Sequence, residues 1–379
     1  MQQVEGSLFT SNCGPAYRAL KQLRSRPLQE VEAVRNVDGQ LVTDRGELKA
    51  CWASYFENLL KANPPAAALP CPTTVYPDPI PPISEAGPSL KETRDAIAKL
   101  KGGKAAGVCG ISAELLIAGG DAVAAGLHAV ICAVWTFRVI PLDWRKGIIV
   151  PIWKGKGDRQ DCTNYRGITL LSVPGKVLAH ILLSRIRPHL LQTQRPAQSG
   201  FTPKKSTVDR ILALRILVER RLEFRQRVFA AYVDLKKAFD SVHREALWRI
   251  MEHRGIPAGI VALLASLYSG TVSAVRVAGG ISEFFPVNSG VRQGCVLAPT
   301  LFNACMDWVL GRTVKRSNCG ASVGDVKISD LDFADDAVIP DELLDILESS
   351  LVILKEETVL CSLVWKFLGR RLGFRPSVT

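Results

Sequence analysis

Two adjacent carboxylates, Asp335 and Asp336, sit in Ile328–Ile339 (ISDLDFADDAVI) between two short apolar runs. Each run is fit for a strand, so the stretch predicts a hairpin with acids at its tip. Upstream, Val228–Leu235 (VFAAYVDL) has the low polarity of a strand buried on both faces, and it carries a third acid, Asp234. Like charges held together repel, and a fold that keeps them close usually brings in a counter-cation. Three carboxylates at strand ends could hold two Mg²⁺ ions ~3.5–4 Å apart for in-line phosphoryl transfer. An Asp-Asp pair alone is more often a solvated turn, so its meaning depends on the elements around it.

Those elements come from a chain of 379 residues, enough for two or so domains and a sizeable core. A hydrophobic content of 47% with 22% charged residues describes an ordinary globular protein. The longest uncharged apolar stretch, Ala122–Phe137, reads as too short to span a bilayer, and MQQVEGSLF lacks the blocks of a signal peptide. Neither gives a reason to place the protein in a membrane or outside the cell. The ten cysteines lie singly, without C-x₂-C pairs or histidines at ligand spacing, as expected of small apolar residues in a reducing compartment. Net charge is +12, and Arg138–Arg227 alone holds 19 Lys and Arg against 6 Asp and Glu. The rest of the chain is close to neutral, and a basic excess confined to one segment is the footprint expected for a polyanion such as nucleic acid.

Periodicity organises the remainder. Residues 1–63 read as a small helical module: Leu48, Cys51, Trp52, Tyr55, Phe56, Leu59 and Leu60 share one face, behind a cap at Asp44 with Glu47 three residues on. Residues 64–88 form a proline-rich linker, and Ser89-x-x-Glu92 opens a helix to about Leu100. The glycine-rich 102–110 loop matches neither a P-loop nor a dinucleotide fingerprint. Ala113–Phe137 and Val177–Ile186 are helical in pattern, and Ser206-x-x-Asp209 caps a long helix to about Arg227. Ile148–Trp153 reads as a strand that Pro151 assigns to a sheet edge. A hairpin around Gly279-Gly280 and a helix from about Thr300 complete the expected elements.

Five patches stand in a fixed order: WKGKGDRQDCTNYRGIT (153–169), QSGFTPKKST (198–207), VFAAYVDLKKAFDSV (228–242), NSGVRQGCVLAPTLFN (288–303) and FADD (333–336). Together they resemble the reverse transcriptase of non-LTR (LINE-type) retrotransposons, over residues of about 90 to 340. The resemblance implies an α+β fold of right-hand polymerase type, with fingers over about 89–227. A palm over about 228–340 would carry the acids on an antiparallel sheet backed by helices. It implies RNA-directed DNA polymerase activity on an RNA template and DNA primer, with deoxynucleoside triphosphates and two Mg²⁺ (or Mn²⁺) ions. By it, Asp234, Asp335 and Asp336 are catalytic metal ligands, and the backbone carbonyl of Leu235 assists.

Other positions follow from the same resemblance. Lys154 and Arg166 match residues that neutralise the triphosphate. Gln293 and Gly294 match the motif beside the incoming nucleotide. Phe239 stands where family members place an aromatic that excludes a ribose 2′-hydroxyl, although core packing explains it equally well. Asp240 is expected to cap or brace its own turn. Lys204 and Lys205 are assigned to nucleic-acid phosphates.

Departures from the pattern are Gly167 in place of proline, Cys109 in place of aspartate, and the stretch after Ile339. That stretch, 341–379, reads as a degenerate tail with Lys366 as a remnant of a lysine motif and no complete thumb, and no endonuclease-like segment is expected ahead of the polymerase region. The alternatives are an impaired retroelement fragment that only binds nucleic acid, or another Asp-Asp phosphotransfer enzyme. Location is expected to be intracellular, nuclear or cytoplasmic.

Overall fold

The computed structural model describes residues 33–61, 77–277, 280–361 and 363–368. Alternating helices and sheets make an α+β protein with two main sheets and two two-stranded antiparallel ones, β1 (Val34–Arg35) with β2 (Leu41–Val42) at the N-terminal side and β9 (Ala321–Val323) with β10 (Val326–Ile328).

The acids lie on a four-stranded, fully antiparallel sheet. It is built from β5 (Phe229–Lys236), β11 (Leu331–Phe333), β12 (Asp336–Asp341) and β13 (Val364–Leu368), in the order β11-β12-β5-β13. Side chains alternate across a strand, and β5 follows that rule. Ala231, Val233 and Leu235 are buried, whereas Tyr232 and Asp234 on the other face are only half-buried. The strand is therefore covered on one face and partly open on the other, which differs from the two-sided burial its composition predicts. Behind the covered face run the helices Arg244–His253, Ala298–Ser317 and Leu344–Leu360, whose apolar residues form the main core with those of β5.

The second sheet combines β3 (Lys146–Trp153) and β4 (Tyr165–Leu171) with β6 (Val272–Val277), β7 (Gly280–Ile281) and β8 (Phe285–Pro286). β3 pairs antiparallel with β4 along its whole length and parallel with β6 from Lys146 to Ile149. Thus β3 is interior in its first half, and Pro151 falls where pairing with β6 has ended, so the missing N–H costs no ladder bond on that side. The expected division between fingers and palm at residue 228 does not follow a sheet boundary, since β6 to β8 join the strands of the basic segment.

Three further elements differ from expectation. The Arg45–Leu59 helix, capped by Asp44 through Gly46 and Glu47 N–H, is not a separate module. Its buried Leu48, Trp52 and Phe56 pack with Ile149, Tyr165 and Val275 of the second sheet, and the Trp52 ring meets Tyr165 edge-on at 5.0 Å. Residues 1–32 and 62–76, including most of the expected linker, lie outside the described residues, as does Gly279. The helix expected over Ala113–Phe137 breaks at Gly119-Gly120, and Gly120 has φ +56°, a value that costs glycine little. Its second part, Gly120–Phe137, is 18 residues long and apolar enough by length and composition to cross a membrane, contrary to the sequence reading. One face of it (Ala124, Ile131, Val134, Trp135) is buried in the main core, and Trp135 Nε1 donates to Glu85 O at 2.8 Å.

The stretch after Ile339 also differs. β12 continues through Pro340 to Asp341, the helix Leu344–Leu360 follows, and β13 pairs with β5 so that Lys366 stands opposite Asp234. Pro340 falls beyond Val338, where the pairing of β12 with β11 has ended, and its cross-strand partner on β5 is Ala230. Beyond Leu368 the chain lies outside the described residues.

Candidate active site

Antiparallel register brings the acids together. Asp336 of β12 stands directly opposite Asp234 of β5, and directly opposed residues point to the same side of the sheet. Asp335 lies in the two-residue turn between Phe333 and Asp336, which pair with each other. All three carboxylates are within electrostatic reach. Burial raises the Asp335 carboxyl above the usual range, and Asp234 adds to the rise while Arg166 opposes it. Burial likewise raises Asp336, reinforced by Asp335 and Asp234.

Among the described residues, no group of three or more His, Cys, Asp or Glu side chains is arranged to hold a metal ion as it stands. The acids are therefore neighbours but not a closed ligand set. Their chemistry fits a hard divalent ion: anionic oxygens raised by burial and by one another, where a cation would relieve both costs. Leu235 has a buried side chain, and its backbone pairs with Trp365, one residue beyond the Asp336↔Asp234 pairing.

The turn itself is unusual. Ala334 has φ +59°, a left-handed conformation that costs a non-glycine residue about 1 kcal/mol or more. A fully buried glutamine, Gln198, holds it. Its Oε1 accepts from Ala334 N at 3.0 Å and from Gly200 N at 2.7 Å, and its Nε2 donates to Ala334 O at 3.4 Å. Gly200 is required here, because a Cβ at that position would fall 2.1 Å from Ala334 N. Ser199 N donates to Asp332 O, and Asp332 N donates to Ala197 O, so the 197–200 segment runs alongside the hairpin as an extra tie.

A buried charge cluster sits under the hairpin. The Arg195 guanidinium pairs with Asp307 (3.0 Å), Asp330 (2.6 Å) and Asp332 (2.9 Å), and Arg254 also pairs with Asp307 at 2.6 Å. Three carboxylates face two guanidinium groups. Burial, with Asp330 beside it, pushes the Asp332 carboxyl well above the usual range, and the Arg195 guanidinium opposes the rise.

The basic side of the site comes from the second sheet. Lys154 follows β3, its Nζ donates to Thr163 O at 2.7 Å, and both Lys154 and Arg166 are exposed. Burial lowers the Lys154 ammonium below its usual value, and its cationic neighbours Arg166, Lys156 and Lys237 lower it further. Lys237 was not singled out from sequence; it follows β5, is exposed, and has φ +55°.

Gln293 and Gly294 lie against β4. Thr169 N donates to Gln293 O at 3.0 Å. Gly294 has φ +110°, and a Cβ on it would meet Thr169 O at 2.3 Å, so only glycine fits. Gln293 Nε2 donates to Asp240 Oδ1 at 2.7 Å. Asp240 thus braces the Gln293 loop. Burial pushes Asp240 up to about 6, opposed by Gln293, Lys237 and Lys154.

Phe239 is half-buried, stacked on Phe302 (centroids 4.3 Å apart, planes at 17°) and met edge-on by Phe201 at 6.0 Å. It is both packed and partly accessible. Lys204 and Lys205 separate in role. Lys204 is exposed, whereas Lys205 Nζ donates to Pro196 O and Gln198 O at 2.9 and 3.2 Å, which ties down the same segment that holds the hairpin.

A sheet of this kind, with acids in register, a braced turn and facing cations, is that of a nucleotidyl-transfer fold. The reverse transcriptase (RNA-dependent DNA polymerase) family matches residues 154–361, more than half of the chain, and the chain belongs to that family. Its match runs past residue 340 into the helix Leu344–Leu360, and reverse transcriptases use divalent metal ions. Similar proteins include the retrovirus-related Pol polyprotein from type-1 retrotransposable element R2 of Popillia japonica, 29% identical over 59% of this chain and 30% of that protein. Others are a putative 115 kDa protein in type-1 retrotransposable element R1DM of Drosophila melanogaster, 29% identical over 76% and 26%, and the RNA-directed DNA polymerase from mobile element jockey of the same species, 26% identical over 57% and 24%. The chain spans less than a third of the length of these relatives.

Proposed function

We propose that this chain is the RNA-directed DNA polymerase domain of a non-LTR retrotransposon, with Asp234, Asp335 and Asp336 as its metal-binding acids. The single observation that carries the reading is the register that sets Asp336 opposite Asp234, with Asp335 in the adjoining turn and Arg166 within electrostatic reach. The antiparallel sheet acts as the palm, and β3 and β4 act as fingers.

Two Mg²⁺ ions, when bound, supply Lewis-acid activation of the primer 3′-hydroxyl and charge neutralisation at the triphosphate. The remaining work falls to the protein. Arg166, within electrostatic reach of Asp335, and its cationic neighbours Lys154 and Lys237 form a basic group suited to the phosphates of an incoming deoxynucleotide. Asp240, as an acceptor-only carboxylate, takes one N–H of Gln293 and so fixes which way that amide points. Gly294 lets the backbone come close to the base pair. Phe239, backed by Phe302, presents a ring edge where a 2′-hydroxyl would clash. Gln198 keeps the acid turn in its left-handed conformation, and Lys204 contacts nucleic-acid phosphate.

The test is extension of a DNA primer on an RNA template by the purified chain. Extension that requires Mg²⁺ or Mn²⁺ and stops on chelation is the expected result; no extension with either ion would overturn the proposal.

A further inference from the structure

We infer that Phe201 is a stacking platform for a base of single-stranded template RNA; this deepens the polymerase reading and rests on it. The ring is placed by the acid site itself. Gly200 packs directly on the Ala334 backbone, so the next residue emerges beside the turn that carries Asp335. Phe201 meets Phe239 edge-on, at 86° and 6.0 Å. Phe302, Phe239 and Phe201 thus form an aromatic row that runs from a fully buried ring, through a half-buried one, to a ring 48% exposed.

The backbone makes this exposure costly. Phe201 has φ +53°, in the left-handed region that bulky residues avoid. Neighbours hold it there: Asn303 Nδ2 donates to Gly200 O at 2.5 Å, Arg187 Nη2 donates to Phe201 O at 3.4 Å, and Thr202 N donates to Ser199 O. Strain of this kind persists only where surroundings over-determine it, and it concentrates at binding sites. Here the strained conformation leaves a large apolar ring half in water, a result that core packing does not require. The surroundings are cationic, with Lys204 exposed three residues on and Arg187 beneath. An exposed aromatic with flanking cations is the pattern that binds single strands: the π-face takes any base, and the cations take the phosphates.

The test is fluorescence anisotropy of the purified chain with a labelled single-stranded RNA of mixed sequence, over a salt series. Phe201→Ala should weaken binding about five- to tenfold while leaving the slope of log affinity against log salt unchanged, because stacking displaces no counterion. Phe201→Trp should restore affinity. Phe201→Leu keeps apolar bulk without a π-face, should bind like the alanine variant, and serves as the second variant if alanine perturbs folding. Lys204→Ala should instead flatten the slope by about 1. Wild-type binding with undiminished affinity in both Phe201→Ala and Phe201→Leu overturns the inference alone. Absence of RNA binding by the wild type overturns the polymerase reading, and the inference falls with it.

Discussion

Replacing Gln198 with alanine should disable the acid turn from a position that contains no carboxylate. The wild-type side chain is fully buried and makes three hydrogen bonds, to Ala334 N (3.0 Å), Gly200 N (2.7 Å) and Ala334 O (3.4 Å). Truncation leaves two buried N–H groups without an acceptor, at about 1–3 kcal/mol each. It also removes what holds Ala334 at φ +59°, a conformation that costs about 1–2 kcal/mol by itself. The two orphaned groups should therefore cost the variant about 2–6 kcal/mol, a large part of the ~5–15 kcal/mol typical of a domain, whereas the strain at Ala334 is already carried by the wild type. If the turn relaxes without global unfolding, a displacement of about 1 Å at Asp335 is expected to lower kcat by about 10²-fold with little change in KM for the nucleotide. Chemical denaturation and single-nucleotide extension measure the two effects separately. Gln198→Glu keeps an acceptor at the same reach and should lose less of both. A Gln198→Ala protein that unfolds at the wild-type midpoint and extends primers at the wild-type rate would refute the reasoning.

Two other perturbations follow from the same geometry. Phe239→Ala should raise ribonucleotide incorporation relative to deoxynucleotide, measured by competition in primer extension; unchanged sugar discrimination would leave the Phe302 stack as its whole role. Asp240 has a folded-state value of about 6 against an ordinary value near 4, so between those limits the native state binds more protons than the unfolded chain. Its contribution to stability is thus full at low pH and declines as pH rises through about 4 to 6, by at most about 3 kcal/mol. Asp240→Asn should be more stable than the wild type above pH ~6 and equal to it below pH ~4. The same variant can present either end of its amide to Gln293 and should raise KM for the nucleotide at neutral pH. Parallel stability curves across that window would refute the burial of an ionising group there.

How much of this was legible in the sequence depends on how local each feature is. Asp234 stands near the end of a low-polarity run and Asp335-Asp336 sit between two apolar runs, so the strands and the turn could be read from the chain itself. Ser89 with Glu92 and Ser206 with Asp209 each form the capping box their spacing predicts. Gln198 was quoted within a motif but had no assigned task, because its partner Ala334 lies 136 residues away and is engaged through backbone atoms that have no sequence signature. Arg195 is similar. Its three acids come from the Ala298–Ser317 helix (Asp307), the residue before β11 (Asp330) and β11 itself (Asp332), and nothing local marks which arginine they meet. The grouping of strands into sheets is hidden for a related reason: parallel pairing of β3 with β6 is a long-range choice, and Ile149 and Val275 of those strands pack with the Trp52 helix. After Ile339 no motif marks the chain. Its apolar residues instead specify a helix, Leu344–Leu360, whose Leu347 and Leu354 enter the main core, followed by a strand that closes the sheet.

Asp335→Asn is the most direct probe of the acid site. Burial and Asp234 both raise the Asp335 carboxyl, so removing its charge relieves repulsion and should leave thermal stability at neutral pH equal or higher. Primer extension on an RNA template, assayed side by side for wild type and variant in Mg²⁺, is predicted to show activity in the first and none in the second. Extension by a folded Asp335→Asn protein at the wild-type rate would contradict the assignment of these acids to metal binding.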